Sequence, residues 1–189
     1  MNIFSKLPVK ELDDIANLLT KRSSLSETFN YLSEITPSDF ILIGGIARSQ
    51  YAPARLTNDI DILVKDEDFE NIKRFLRGYE GVKQIRGHAW LIKGIEVEIL
   101  TPSFLGLDSV LVDYIFGTKI SIPFGDKAFL CSKEGIILLK LQRSSSTDLE
   151  DIYNILKSNP DINVNALSPY LSEKQLQLLL TAKSKVLID

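Results

Sequence analysis

The stretch LIGGIARSQYAPARLTNDIDILV, Leu42 to Val64, constrains the fold more than any other part of the chain. It grows out of an apolar run, FILIG from Phe40, that lacks alternation, as expected of a strand buried on both faces. Gly44 and Gly45 end that strand. IARSQY can then turn as a short helix until Pro53, which lacks a backbone donor and clashes with the preceding turn. After a loop over 52–58 the chain returns as DIDILV, with Ile60, Ile62 and Val64 on one face and Asp59 and Asp61 on the other. Two acids so placed repel, raise each other's pKa and weaken the sheet unless a cation neutralises them.

The remaining elements follow from periodicity and punctuation. Leu12, Ile15, Leu18 and Leu19, then Leu25, Phe29 and Leu32, recur at helical spacing from Pro8 onward, as one broken helix or two short ones. DEDFENIKRFLRG has acids in its first turn, bases in its last and Gly78 as a stop, so it reads as a helix crossing the sheet. VKQIR, AWLIK and IEVEIL read as successive short strands separated by Gly87 and Gly94. SFLGLDSVLVDYIF carries both helical spacing and a strand-like run at Val110 to Val112, and is expected to be mostly helical or looped. TKISIPFGDKAFLCS predicts a hairpin, or a strand plus turn, at the sheet edge. From Ser132 three helices are expected, the second opened by a Thr147 to Glu150 capping box and the third by Ser172 and Gln175.

The simplest cation for Asp59 and Asp61 is Mg²⁺, or Mn²⁺ in its place, which takes carboxylate oxygens together with water and phosphate oxygens. The glycines fit the same chemistry, because a backbone without a β-carbon can approach a triphosphate and aim amides at it, helped by the positive end of a helix. IEVEIL supplies a third acid, since Glu96 and Glu98 share one face while Ile95, Val97 and Ile99 take the other. Alternation does not choose between them. Their carboxyls leave the backbone nearly 7 Å apart, at about 3.3 Å of rise per residue, too far for both to serve one metal pair about 4 Å across.

Together these residues resemble the nucleotidyltransferase superfamily that includes DNA polymerase beta. Its motif is a hydrophobic residue, two small residues, a spacer, an Asp-hydrophobic-Asp and a later third acid. Here the parts are IGG, a spacer of thirteen residues from Ile46 to Asn58, DID, and EIL beginning at Glu98. The wording ARLTNDIDILV, with LCSKEGIILLKLQRSSSTDLEDI downstream, is most similar to a minimal branch containing the AbiEii-type toxins. The resemblance spans roughly residues 38 to 157.

It implies that Gly44 and Gly45 cradle triphosphate, that Asp59 and Asp61 hold metal, and that Glu98 stands where the family usually has a third, shorter Asp. Lys140 matches a helical lysine often used for phosphate. A lysine snorkelling from a mostly buried helix is the competing reading of that residue. Arg55 and Thr57 match the branch's R-x-T-x-D wording and are counted with the nucleotide-binding residues. The implied activity transfers a nucleoside monophosphate from an NTP, such as ATP, to an acceptor hydroxyl on RNA, protein or a small molecule. The implied setting is a toxin with a cognate antitoxin, and the alternative is a non-catalytic nucleotide-binding or regulatory module of such a pair. The fold expected is α/β (α+β): N-terminal helices over 1–36, a mixed-sheet nucleotidyltransferase core over 37–131 and a C-terminal helical segment over 132–189.

Composition bounds the rest. A chain of 189 residues suits one domain. Its net charge of −3 argues against coating a nucleic acid backbone, and the single cysteine, Cys131, allows no internal disulfide or cysteine-rich zinc site. The longest apolar segment, FILIGGIA, is far short of the ~20 residues that span a bilayer, so the expectation is a cytoplasmic protein with no membrane partner. No P-loop and no dinucleotide-binding glycine pattern occurs. Lone His88, beside Trp90, is expected to be structural, and Asp148 and Asp151 to be acids favoured by a helix dipole.

Overall fold

The computed structural model describes residues 25–54, 57 and 59–188. The helical pattern expected from Pro8 to Ser24 and the candidate Arg55 lie outside the described residues. The chain runs α1 (Leu25–Ile35), β1 (Phe40–Leu42), α2 (Gly44–Arg48), β2 (Asp59–Leu63), α3 (Asp66–Arg77), β3 (Val82–Arg86), β4 (Ala89–Ile92) and β5 (Ile95–Leu100). It continues through α4 (Pro102–Leu105), α5 (Ser109–Gly117), β6 (Ile120–Ser121), β7 (Ala128–Leu130), α6 (Lys133–Arg143) and α7 (Ser146–Ser158). A 3₁₀ helix (Val164–Tyr170) and α8 (Glu173–Ile188) complete it.

The strands form one seven-stranded mixed sheet in the order β3-β4-β5-β2-β1-β7-β6. β1 lies between β2, antiparallel, and β7, parallel, and all three of its residues are buried, as its unbroken apolar run requires. β2 pairs parallel with β5. The pattern of β5, with Ile95, Val97 and Ile99 buried and Glu96 and Glu98 half-buried, repeats the division that β2 makes between Ile60 and Ile62 and its two aspartates. One apolar layer therefore runs beneath both strands, and all four acids rise on the opposite face.

α6 joins the C-terminal helices to this core. It packs on α2, α5, α7, α8 and the 3₁₀ helix, and its buried Ile136, Ile137, Leu138 and Leu141 belong to the same apolar cluster as the sheet. The mixed α/β sheet with flanking helices and a C-terminal helical segment is the architecture expected.

Local chemistry moved several boundaries. α2 begins at Gly44 rather than Ile46, because Gly44 at φ +66° turns the chain directly out of β1. The strand-like Val110 to Val112 lie inside α5: Asp108 accepts from the Leu111 amide, and this cap starts a helix ahead of the β-branched run. The capping box of α7 is Ser145 with Asp148, not Thr147 with Glu150, since Ser144 in a left-handed conformation ends α6 and places Ser145 at the next helix start. The opening of α8 by Ser172 and Gln175 is as expected. The 3₁₀ helix at Val164–Tyr170 carried no signal in the periodicity.

Candidate active site

The site begins where β1 stops. Ile43 is extended, and its amide donates to the Asp61 carbonyl at 2.9 Å, so β1 holds β2 one residue past the regular ladder. Gly44 follows at φ +66°, and a β-carbon there would sit 1.7 Å from Asp61 Oδ2. Gly44 is therefore demanded by the aspartate lying over it. At Gly45 a β-carbon would lie 3.0 Å from Thr57 Oγ1. Both glycines make room for the acid-bearing segment, a role their sequence context did not show. α2 is only five residues long, so its dipole adds little to any anion site.

The parallel register sets Asp59 beside Glu96 and Asp61 beside Glu98. Thr57 Oγ1 donates to Asp59 Oδ1 at 2.8 Å, holding that carboxylate from behind. Arg86 Nη2 lies 3.2 Å from Glu96 Oε1 and 3.7 Å from Glu98 Oε1, but its side chain is exposed, so solvent screens both pairs. Asp61 carries the strain of the cluster. Burial, then the charges of Asp59 and Glu98, push its carboxyl up to about 6, although Arg143 and Lys140 pull the other way.

A cleft opens over Gly44, Asp61 and Glu98 and is walled by Leu105, Leu107 and the α6 residues Ile136, Leu139, Lys140, Gln142 and Arg143. The structure thus brings Gly44, Asp61, Glu98 and Lys140 to one cavity. Asp59, Thr57, Gly45 and Glu96 stand outside its lining, with Thr57 and Gly45 behind Asp59. Among the described residues no group of three His, Cys, Asp or Glu side chains is arranged to hold a metal ion by itself. Mg²⁺ does not require such a cage, because it usually keeps several waters and binds through one or two carboxylates plus substrate phosphates. The donors fit that chemistry: a half-buried aspartate with a raised pKa, a second held by a threonine, and a glutamate alongside.

Across the cleft lies a second charged cluster. Lys140 is only 6% exposed; its Nζ is 2.7 Å from Asp151 Oδ2 and 3.2 Å from Asp148 Oδ1. Arg48 Nε lies 2.9 Å from Asp151 Oδ1, and Arg143 Nη2 lies 2.7 Å from Asp148 Oδ1. Burial pushes the Asp148 carboxyl up, but hydrogen bonds from Arg143 and Ser145 and the charge of Lys140 outweigh it and hold it down at about 2. Asp148 and Asp151 are thus buried ion-pair partners rather than acids placed only for a helix dipole, and Lys140 does not snorkel. The signal available in the sequence was Lys140 and Arg143 three apart on one helix, followed across a short turn by Asp148 and Asp151 with the same spacing. His88 is structural as expected, stacked on the Phe69 ring, with the Phe104 ring tilted against it and Nδ1 2.8 Å from the Ile99 carbonyl.

No family model and no curated protein sequence matches the chain. Solved structures do. An antigenic nucleotidyltransferase-like protein from Paracoccidioides brasiliensis aligns at 20% identity with a TM-score of 0.51, covering 91% of this chain and 86% of its own. ANT(2'')-Ia in complex with adenylyl-2''-tobramycin aligns at 14% identity and a TM-score of 0.47, over 85% of this chain and 96% of its own. A solution structure of ANT(2'')-Ia gives 13% and 0.45, over 86% and 91%. At such identities the likeness is one of architecture, and the first of these alignments shows that the chain has the fold of a nucleotidyltransferase-like protein.

Proposed function

We propose that the chain is a metal-dependent nucleotidyltransferase that moves a nucleoside monophosphate from an NTP to an acceptor hydroxyl. The observation that carries this reading is Asp61: a half-buried carboxylate packed on a glycine that cannot be anything larger, flanked by Asp59 and Glu98, and open to a cleft. Asp59 and Asp61 would hold Mg²⁺ or Mn²⁺, with Glu98 beside them. The ion, when bound, neutralises charge at the reacting phosphoryl group and binds carboxylate and phosphate oxygens together.

The chain's own residues supply alignment. Thr57 orients Asp59, Gly44 lets Asp61 lie against the turn, and the α6 wall closes the cleft opposite. The acceptor oxygen forms a bond to the α-phosphorus, the bond to pyrophosphate breaks, and the acceptor proton passes to Glu98. Positioning and electrostatics carry most of the rate in such a step, with no covalent enzyme intermediate. The acceptor classes are RNA, protein and small hydroxyl compounds. The cellular setting implied by the sequence resemblance is a toxin held by a cognate antitoxin. Among the described residues no helix is long and apolar enough to cross a membrane.

The test is to incubate the full chain with Mg²⁺ or Mn²⁺, each of the four α-labelled NTPs and each acceptor class. Label on an acceptor with stoichiometric pyrophosphate supports the reading. Mg²⁺-dependent nucleotide binding with no label transferred to any class would favour the non-catalytic alternative.

A further inference from the structure

Among the described residues the cleft lining contains two cations, Lys140 and Arg143, and the structure gives them different work. The Lys140 ammonium is nearly buried, and two of its three donors point at Asp151 and Asp148. Arg143 is the last residue of α6, and its side chain is 69% exposed. One edge of its guanidinium is fixed: Nε donates to Asp148 Oδ2 at 3.3 Å and Nη2 to Asp148 Oδ1 at 2.7 Å. That geometry leaves Nη1 and the second Nη2 hydrogen for a ligand. Asp148 is itself immobilised by Ser145, whose hydroxyl donates at 2.6 Å and whose amide donates at 3.3 Å, and by Lys140.

We infer that Arg143, oriented by Asp148, grips the polyphosphate of the donor nucleotide, while Lys140 serves the buried ion pairs that keep Asp148 and Asp151 in place. The inference rests on the nucleotidyltransferase reading. A guanidinium matches phosphate oxygens two at a time, and one already fixed along its other edge loses less rotamer entropy on binding than a free surface arginine. The placement also suits the charge of the ligand. A triphosphate entering over Asp61 and Glu98 meets two carboxylates, and Arg143 is, among the described residues, the exposed cation lining the same cleft. Asp148 is a positioning residue in this scheme, because it touches Arg143 and not the nucleotide.

The experiment is calorimetric titration of the full chain in Mg²⁺ with inorganic tripolyphosphate, with each NTP and with the matching nucleoside. Arg143→Gln is expected to weaken tripolyphosphate and NTP binding at least tenfold while leaving nucleoside affinity within twofold. Arg143→Lys should fall between, since it keeps the charge and loses the fork. Thermal melting of both variants should fall less than that of Asp151→Ala, because Asp148 retains Lys140 and Ser145. Tripolyphosphate affinity unchanged in Arg143→Gln overturns the inference, and so does a parallel loss of nucleoside affinity, which would mark a structural role. If the parent chain binds neither NTP nor tripolyphosphate, the nucleotidyltransferase reading fails and takes this inference with it.

Discussion

The aspartate pair of β2, Asp59 and Asp61, and the aspartate pair of α7, Asp148 and Asp151, behave in opposite ways. Asp59 and Asp61 stand on adjacent same-face positions of a strand, next to Glu96 and Glu98, and the hydroxyl that holds Asp59, that of Thr57, brings no charge to offset them. Asp148 and Asp151 stand one turn apart on α7 and are met by Arg48, Lys140 and Arg143. Burial acts on both sets. In the first it adds to like-charge repulsion and raises Asp61, whereas in the second the cations reverse it and Asp148 falls. Charges compensated inside the chain hold the structure together, whereas a carboxylate in a cleft whose like-charged neighbours and burial outweigh the cations around it is a candidate position for a ligand.

Removing one member of the compensated cluster should have the largest effect. Asp151→Ala leaves Arg48 and Lys140 buried without their shared carboxylate, and is expected to cost about 3–5 kcal/mol in urea unfolding. A loss under about 1 kcal/mol, the size of a surface pair, would mean that the ion pairs are not structural.

The acid cluster should respond to pH with the opposite sign. Asp61 titrates higher in the folded chain than its ordinary 3.8, so the native state binds the extra proton. Metal-free stability therefore falls as pH rises from about 4 through 6, by about 2–3 kcal/mol. Asp148 titrates lower than 3.8, so its contribution is present above about pH 4 and is lost as pH falls toward 2. Asp61→Asn should remove the first slope, leave the fold at least as stable near neutral pH, and abolish metal-dependent nucleotide binding. A variant that keeps the slope assigns it to another group.

Gly44→Ala probes the acid cluster from the turn beneath it. The added carbon meets Asp61 in a backbone conformation that side chains rarely adopt, so a stability loss of about 1–3 kcal/mol and loss of metal-dependent binding are expected together. Gly45→Ala meets only the Thr57 side chain at 3.0 Å and should cost less on both counts. Equal effects would show that Asp61 is not what requires Gly44. The smallest effect concerns the third acid. Glu98→Gln should lower turnover at least tenfold, about 1.4 kcal/mol of transition-state stabilisation, and Glu96→Gln little, because Glu98 lines the cleft and Glu96 does not. A larger loss at Glu96 would shift the site one pair along the strand.

The strands were legible because burial on one face imposes a period of two, and that period alone assigns Asp59, Asp61, Glu96 and Glu98 to the polar faces of their strands. Helix ends were legible where a cap and its partner lie within one turn, as at Ser172 and Gln175. They were displaced where neighbouring hydroxyl residues compete for the same role, as at Ser145 and Thr147. The strand-like run in α5 misled because β-branched residues announce a strand, and the Asp108 cap is a stronger local determinant than their propensity.

The mixed α/β character, the succession of strands along the chain and the existence of an acidic face all follow from interactions within a few residues, and the letters alone were enough to set them. Contacts between distant segments were needed to settle that Asp61 rather than Asp59 lines the cleft, that Glu98 is its neighbour, and that Lys140 is tied to Asp148 and Asp151. Those relations join β1 to β2, β2 to β5 and α6 to α7, segments whose pairing depends on how the whole apolar layer closes. A residue's charge can be read from its letter, but whether that charge is compensated depends on partners brought in from elsewhere in the chain: Arg48 meets Asp151 because α2 and α7 both pack against α6.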